Sequence, residues 1–392
     1  MKAKPMTTAG MIPKPPQPVA TITDRAALVE FCTRMAGCDW IAVDTEFLRE
    51  STYYPKLCLV QIADSHEIGL IDVLAIDDLS ALAGLLVDDR VCKVFHSAEQ
   101  DLEVLSQRFG RMPAPLFDTQ LAAALIGQDD QMGYARLISA LLDIDLAKGH
   151  TRTDWSRRPL PEGALDYAAD DVRYLVVAYT VIRQRLDELD RGDWLDDDLA
   201  ALADPARFEV DTRSVWRRLK QWHRLPPAGQ QVLAELADWR ERQAMASDRP
   251  RKWVLPDDAV YAIARACPAD RAALETIDAL PAKTAARHGD DLLVRVQAGL
   301  ARGTTPLAAT PQPPTASQKK RIRAGMDRLT ERAETLNIPA AAIASRKEVA
   351  AMVDGERDLR LLTGWRRQAA GEAVLDAIKN AEAASCSDVS NP

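Results

Sequence analysis

The sequence predicts an α/β fold, a mixed sheet with helices on its faces, followed by two all-helical segments. Three observations carry that expectation. Residues 41–47 begin apolar and β-branched and then alternate, which is the period of a strand that leaves a buried core. Residues 57–63, 67–71 and 91–95 are further short strand-like runs, the first two separated by turn-like breaks and the last reached through a helical stretch. Beyond residue 189 the apolar spacing is helical throughout.

The elements follow in order. Residues 1–18 hold Pro5, Pro13, Pro15, Pro16 and Pro18 and predict a disordered lead-in. A helix over 24–35 precedes the 41–47 strand. Short connections make 41–47, 57–63 and 67–71 an antiparallel meander. A helix over 79–86 then crosses to 91–95, and such a crossover returns parallel to an earlier strand. Leu102, Leu105 and Phe109 give helical spacing over 98–109, and Asp118 has the chemistry of an N-cap for a helix over 120–126. Helices over 135–142 and 162–189 follow, the second with Pro161 at its entrance. These elements make one domain over 19–190. An acidic patch of Asp190, Asp193, Asp196, Asp197 and Asp198 marks the junction to a helical domain over 210–300. There Val232, Leu236 and Trp239 share a helical face. A Pro/Thr/Ala linker, 301–317, leads to a second helical domain over 318–385. The two echo each other: Leu255-Pro256 with Val260 is repeated as Ile338-Pro339 with Ile343.

Composition bounds the function. At 392 residues the chain exceeds one ordinary core, and 47% hydrophobic content is that of a globular protein. No apolar run approaches a membrane span and the first residues lack the apolar core of a signal peptide, so a cytoplasmic protein with no membrane partner is expected, and a monomer. Six scattered cysteines without a C-x-x-C pair, and five histidines, argue against a disulfide frame or a zinc site. The net charge of −8 speaks against an anionic partner, but residues 213–252 reverse the local balance, with ten Lys and Arg against four acids. Such a segment either grips a phosphate backbone or is a solvated helical face.

The chemistry-bearing residues are carboxylates. The strand period sends Asp44 and Glu46 to one face, where two like charges make sense if a cation lies between them. Alone, such a pair can equally be two acids at a fraying strand end. Asp101 falls in the first turn of its helix, where a carboxylate also suits the helix dipole. Tyr167 and Asp171, four apart, share a face of the long helix, whereas Asp166 and Asp170 point elsewhere and are read as solvated. Four carboxylates from three elements are the number needed to hold two divalent ions, Mg²⁺ or Mn²⁺, for phosphodiester cleavage.

The ordered set resembles ribonuclease D, of the tyrosine-bearing branch of the DEDD exonucleases. Val43-Asp44-Thr45-Glu46-Phe47 is similar to the family's first exonuclease motif, residues 94–102 (VFHSAEQDL) to the second, and Tyr167-Ala168-Ala169-Asp170-Asp171-Val172 to the third, whose Tyr-x-x-x-Asp spacing selects Asp171. Residues 59–63 (LVQIA) and 154–160 (DWSRRPL) are similar too, and the helical domains resemble the helicase-and-RNase-D C-terminal (HRDC) domain, the first more closely than the second. The resemblance implies a ribonuclease H-like fold followed by two HRDC-like domains. It implies a 3′→5′ exoribonuclease that releases nucleoside 5′-monophosphates and trims precursor tRNA and other structured RNAs. The metal ligands would be Asp44, Glu46, Asp101 and Asp171, with Tyr167 orienting the attacking water. Thr45, Phe47, Gln61 and His96 would lie near the terminal nucleotides.

The basic run supplies candidate RNA contacts in Arg217, Arg218, Arg249, Arg251 and Lys252. Trp253 is expected in the core, available to stack on a base only if exposed. A DNA 3′→5′ exonuclease would share the metal site, and a catalytically inert RNA-binding module would share the fold. The full carboxylate and tyrosine set weighs against the second. No G-x-x-x-x-G-K-[ST] loop for ATP is present.

Overall fold

The structure is a computed structural model that describes residues 14–146, 153–308 and 313–387, with side chains as far as residue 383. Most of the expected lead-in and part of the expected linker therefore lie outside the described residues. The chain forms two compact units that do not follow chain order. Unit 1 gathers residues 1–47, 57–207 and 313–392, and unit 2 gathers 48–56 and 208–312.

Unit 1 is built on a six-stranded sheet: β1 (Val19–Ile22), β2 (Trp40–Leu48), β3 (Lys56–Ala63), β4 (Ile68–Ile71), β5 (Cys92–Phe95) and β6 (Leu116–Asp118), in the order β1-β4-β3-β2-β5-β6. β3 and β4 are antiparallel, with Gln61 opposite Leu70. β2 runs parallel to β5, Ala42 opposite Val94, as the crossover argument requires. Two strands escaped the sequence reading. β1, parallel to β4 at the sheet edge, is three-quarters exposed and shows no buried period. β6 is three residues long, and its last residue, Asp118, does cap a helix as expected.

The helices of unit 1 are α1 (Arg25–Met35), α2 (Ser80–Leu86), α3 (Glu99–Phe109), α4 (Thr119–Leu125), α5 (Tyr134–Leu142), α6 (Glu162–Glu188) and α7 (Asp196–Leu202). Two of these starts, those of α1 and α4, are capped by a side chain. The Asp24 carboxylate accepts from the Ala27 N–H at 2.9 Å, and Asp118 accepts from Gln120 and Leu121. Gly110 ends α3 at φ 68°, a left-handed turn that glycine adopts without a Cβ clash.

Unit 2 holds α8 (Pro227–Ser247), α9 (Arg251–Val254), α10 (Asp257–Ala266), α11 (Arg271–Glu275) and α12 (Ala282–Ala301). Its core joins Val232, Leu236 and Trp239, as their shared face predicts, to Val260, Ile263 and Leu292. At Gly299 a Cβ would stand 2.6 Å from the Val232 Cα, so glycine lets α12 close on α8.

The last helices belong to unit 1: α13 (Ala316–Leu336), α14 (Ala340–Ile343), α15 (Arg346–Val353), α16 (Gly364–Arg366) and α17 (Glu372–Ser387). Thr315/Gln318 and Ser345/Glu348 form capping boxes at α13 and α15. The echoed prolines, Pro256 and Pro339, occupy the same N-cap position on α10 and α14. What ties this segment into unit 1 is a set of buried arginines. Arg191 donates to the carbonyls of Leu125, at 2.5 Å, and Leu336, at 2.7 Å. Arg366 donates to Asp198 at 2.6 Å and to the carbonyls of Ala342 and Ile343. Between them Trp194 and Trp365 stack with centroids 4.1 Å apart, each with one of these guanidiniums over its ring.

Arg366 is the buried partner of Asp198, whose other cation, Arg360, lies exposed at 3.5 Å. Arg366→Ala leaves Asp198 to Arg360 and strips the buried carbonyls of Ala342 and Ile343 of their donor, and is expected to destabilise unit 1 by about 1–3 kcal/mol. The urea midpoint of the variant against the native protein measures it, and an unchanged midpoint would show that Arg360 alone compensates Asp198.

Candidate active site

β2 places the first two acids. It lies between β3 and β5, its residues 41–43 are buried, and its period brings Asp44 and Glu46 to one face. α6 supplies the third: Asp44, Glu46 and Asp171 each offer a carboxylate oxygen within 4.8 Å of the others, and all three are half-buried. At such separations each pair of negative charges costs about 3–4 kcal/mol in a protein-like dielectric. Among the described residues no Lys or Arg forms an ion pair with any of them. The consequence is visible in their acidity. Burial pushes Asp44 up to about 7. Burial, then the charges of Asp44, Asp171 and Asp101, push Glu46 up to about 9. Burial, then Asp44 and Asp170, push Asp171 up to about 9. A half-buried trio of hard oxygen donors with no internal counter-charge suits a divalent cation.

The fourth expected acid lies beside the trio. Asp101 is buried on α3 and accepts a 2.5 Å hydrogen bond from the Thr45 hydroxyl, and burial, then Asp44, hold its carboxyl well above the usual range. Its position rests on Asp118. That carboxylate takes the N–H groups of Ser97 and Ala98 as well as those that open α4, and so fixes the start of α3. Ser97 turns there at φ 61°.

Tyr167 is one turn before Asp171 on α6 and donates to its carboxylate. Burial, then Asp171, Glu46 and Asp44, raise the phenol further above its ordinary value, so it stays protonated at neutral pH and acts as a donor. Near it and Asp171 the structure shows three residues to which the sequence reading gave no role, two of them within the family-like stretch 154–160. The buried Trp155 ring sits 6.4 Å from that of Tyr167. Arg158 holds the Trp155 carbonyl at 2.7 Å while pairing with Asp72 and the Cys58 carbonyl. Tyr134 donates at 2.9 Å to the Asp170 carbonyl, next to Asp171. Asp170 itself corrects an expectation: it is half-buried and paired with Arg173, where a solvated acid was expected. Asp166 is exposed as expected.

Of the other expected contacts, Phe47 is half-buried. Gln61 is fully buried with both amide atoms lacking a hydrogen-bond partner. Both ring nitrogens of His96 are engaged, at 3.0 Å, with the Thr119 hydroxyl and the Met132 carbonyl. Arg217, Arg218, Arg249, Arg251 and Lys252 belong to unit 2, and the structure divides them. Arg251 is committed to Glu241, at 2.6 and 2.7 Å, with its guanidinium 4.8 Å from the Tyr53 ring centroid. Arg218 lies 4.0 Å from the same carboxylate but is exposed, as are Arg217, Arg249 and Lys252. Trp253, expected in the core, is 64% exposed: the buried side of its turn is taken by Val254 and Leu255. Among the described side chains Cys32, Cys38, Cys58, Cys92 and Cys267 are thiols outside any disulfide.

Comparison with known proteins decides the family. Residues 19–187 match the 3′-5′ exonuclease family and residues 229–296 the HRDC domain. Ribonuclease D of Sphingobium indicum is 38% identical over 371 residues, 91% of this chain and 94% of that one. The chain belongs to the ribonuclease D family. Ribonuclease D of Pseudomonas paraeruginosa is similar to the same degree, 39% identical over 92% of this chain and 97% of its own. The crystal structure of Escherichia coli RNase D, described as an exoribonuclease involved in structured RNA processing, superposes with a TM-score of 0.80 at 31% identity, covering 93% of this chain and 99% of that one. With ribonuclease D come the enzyme class, a 3′→5′ exoribonuclease, and the mixed sheet followed by an HRDC domain. Among the described residues no helix is long and apolar enough to cross a membrane.

The acidity of the trio has a measurable consequence for stability. A carboxyl whose folded value lies above its unfolded value holds its proton longer in the folded state, so its contribution is complete below about pH 4 and is lost as pH rises through the folded value. For the metal-free protein that loss runs from about 4 up through about 7 for Asp44 and about 9 for Glu46 and Asp171. In EDTA the melting temperature is therefore expected to fall between pH 5 and pH 9. Mg²⁺ is expected to restore it most at the alkaline end. A Tm in Asp44→Asn that falls with pH as steeply as in the native protein would contradict this.

Proposed function

We propose that this enzyme removes nucleotides one at a time from RNA 3′ ends, releasing nucleoside 5′-monophosphates. Its substrates are structured RNAs such as the 3′ trailers of precursor tRNA. It works with two divalent ions, Mg²⁺ or Mn²⁺, held by Asp44, Glu46, Asp101 and Asp171. The observation that carries the reading is the close approach of Asp44, Glu46 and Asp171, each offering a carboxylate oxygen within 4.8 Å of the others. When bound, the ions supply an activated water at neutral pH and charge stabilisation for the departing 3′ oxygen.

The chain's own residues do the rest. Thr45 holds Asp101 beside the trio, and Asp118 holds the turn from which Asp101 projects. The Tyr167 phenol, kept protonated, is a fixed donor and acceptor that orients a water beside Asp171 without serving as its base. Trp155, itself held by Arg158, limits the rotamers open to that ring. In this reading Thr45, Phe47, Gln61 and His96 lie near the terminal nucleotide, as the family resemblance implies. The unpartnered amide of Gln61 supports a polar partner there. The exposed Arg217, Arg218, Arg249 and Lys252 support a second contact with the RNA body, while Arg251 serves to order the turn that carries Arg249 and Lys252.

Asp44→Asn and Asp171→Asn are expected to abolish hydrolysis of a labelled RNA in Mg²⁺ while leaving the circular dichroism spectrum native, and Asp170→Asn to remain active. Near-normal turnover in both of the first two would sink the assignment. A DNA strand of the same sequence, run in parallel, separates RNA from DNA specificity.

Tyr167→Phe keeps the ring and removes the hydroxyl. Turnover is expected to drop by an order of magnitude or more, since one oriented hydrogen bond in a preorganised site is worth roughly 2–4 kcal/mol, with little change in RNA affinity. Single-turnover rates and Kd measured together test this; an unchanged rate would make the phenol structural.

A further inference from the structure

Trp253 is the outlier of unit 2. It is 64% exposed, and among the described residues of that unit the only other exposed large hydrophobics are Val294 and Leu300. An indole left in water forgoes much of the apolar burial that makes tryptophan a core residue. The turn that presents it is nevertheless held firmly. Asp248 accepts from the N–H groups of Tyr53 and Tyr54 at 3.1 and 3.0 Å, the Arg249 N–H bonds the Ala244 carbonyl at 3.0 Å, and the Trp253 N–H bonds the Pro250 carbonyl at 2.8 Å. Arg251 is clamped between the buried Glu241 and the Tyr53 ring. The backbone that carries the ring is thus fixed, so presenting the ring costs no ordering of the turn on contact. Its flanks, Arg249 and Lys252, are exposed, and among the described residues neither pairs with an acid.

We propose that Trp253 is a stacking platform for an unpaired base of the RNA, with Arg249 and Lys252 engaging the phosphates on either side of that base. The proposal rests on the exoribonuclease reading and adds to it a single-stranded subsite in unit 2. An aromatic face between two free cations matches a nucleotide, whose base has a π-face and whose backbone is anionic. A protein partner or a membrane would call for a wider apolar patch than one ring between charges. Arg251, by contrast, is spent on Glu241 and contributes order to the turn, with no free charge for a phosphate.

The test uses the full-length protein in EDTA, so that binding is read without cleavage, and a labelled single-stranded RNA. Trp253→Ala is expected to raise Kd roughly 5- to 100-fold without changing its dependence on salt, and Trp253→Phe to recover most of the loss. The double variant Arg249→Ala/Lys252→Ala is expected to lower the slope of log Kd against log salt by roughly one to one and a half, the share of two phosphates. A series of RNAs with one abasic position moved along the strand provides the decisive arm. At the seated position native protein and Trp253→Ala should bind alike, and elsewhere they should differ. Equal binding by Trp253→Ala and native protein on the intact RNA overturns the proposal. So does a loss that is the same at every abasic position, or a loss confined to anionic lipid vesicles. Release of mononucleotides by the native enzyme in Mg²⁺ is scored separately. If release occurs and Trp253 has no effect, the platform alone is refuted, and if there is no release, the exoribonuclease reading falls and the proposal with it.

Discussion

Mutual repulsion among Asp44, Glu46 and Asp171 is the constraint around which unit 1 is built. Three acids whose oxygens come within 4.8 Å would drift apart or face water on a mobile support. They do neither, because each rides on an element whose position is settled elsewhere. Asp44 and Glu46 sit on a strand whose start is buried between two neighbours, and Asp171 on a 27-residue helix whose opposite face is core. The core's cohesion is set against the site's repulsion, and a bound cation would relieve what remains. Thr45, Asp118 and Tyr134 extend this support outward by hydrogen bonds to the acids or to the backbone that carries them, and Arg158 does so by holding the backbone of Trp155, whose ring lies beside the phenol.

What the sequence disclosed and what it hid follow from the range of the interactions. Asp44 and Glu46, or Tyr167 and Asp171, share a face through local geometry alone, two residues along a strand or four along a helix, and that was legible. Asp118 was legible as a cap for the same reason. The pairing of Asp170 with Arg173 is also local, yet its burial depends on what α6 packs against, and there the sequence misled. β1 and β6 exist because partners fifty and twenty residues away hold them, so neither carries a period of its own. Trp253 went wrong because residue type was allowed to stand for environment: an indole belongs inside unless two smaller neighbours, Val254 and Leu255, have already filled the space. Arg251 misled in the opposite way, since a basic residue in a basic run looks free until the single buried acid facing it is seen.

The basic segment shows how an acidic protein can present positive charge without losing structural order. Glu241, 1% exposed, draws Arg251 tight and lies within 4.0 Å of Arg218, so one buried carboxylate organises two of the cations around it. The net charge of −8 is a property of the whole chain; screening over a Debye length of about 8 Å leaves a ligand to sense the local sign.

Unit 1 is drawn from three stretches of chain, the last beginning at residue 313, with most of unit 2 lying between the second and third. During synthesis the carbonyls of Leu125 and Ala342 and the rings of Trp194 and Trp365 become available far apart in time. The sheet and its helices must wait on the ribosome with Arg191 and Asp198 lacking their later partners, while the intervening helices, whose contacts are mostly local, can already assemble. Emergence of the segment from residue 313 onward closes the unit. A polypeptide released early would therefore leave open to solvent and to proteases the surface that this segment covers.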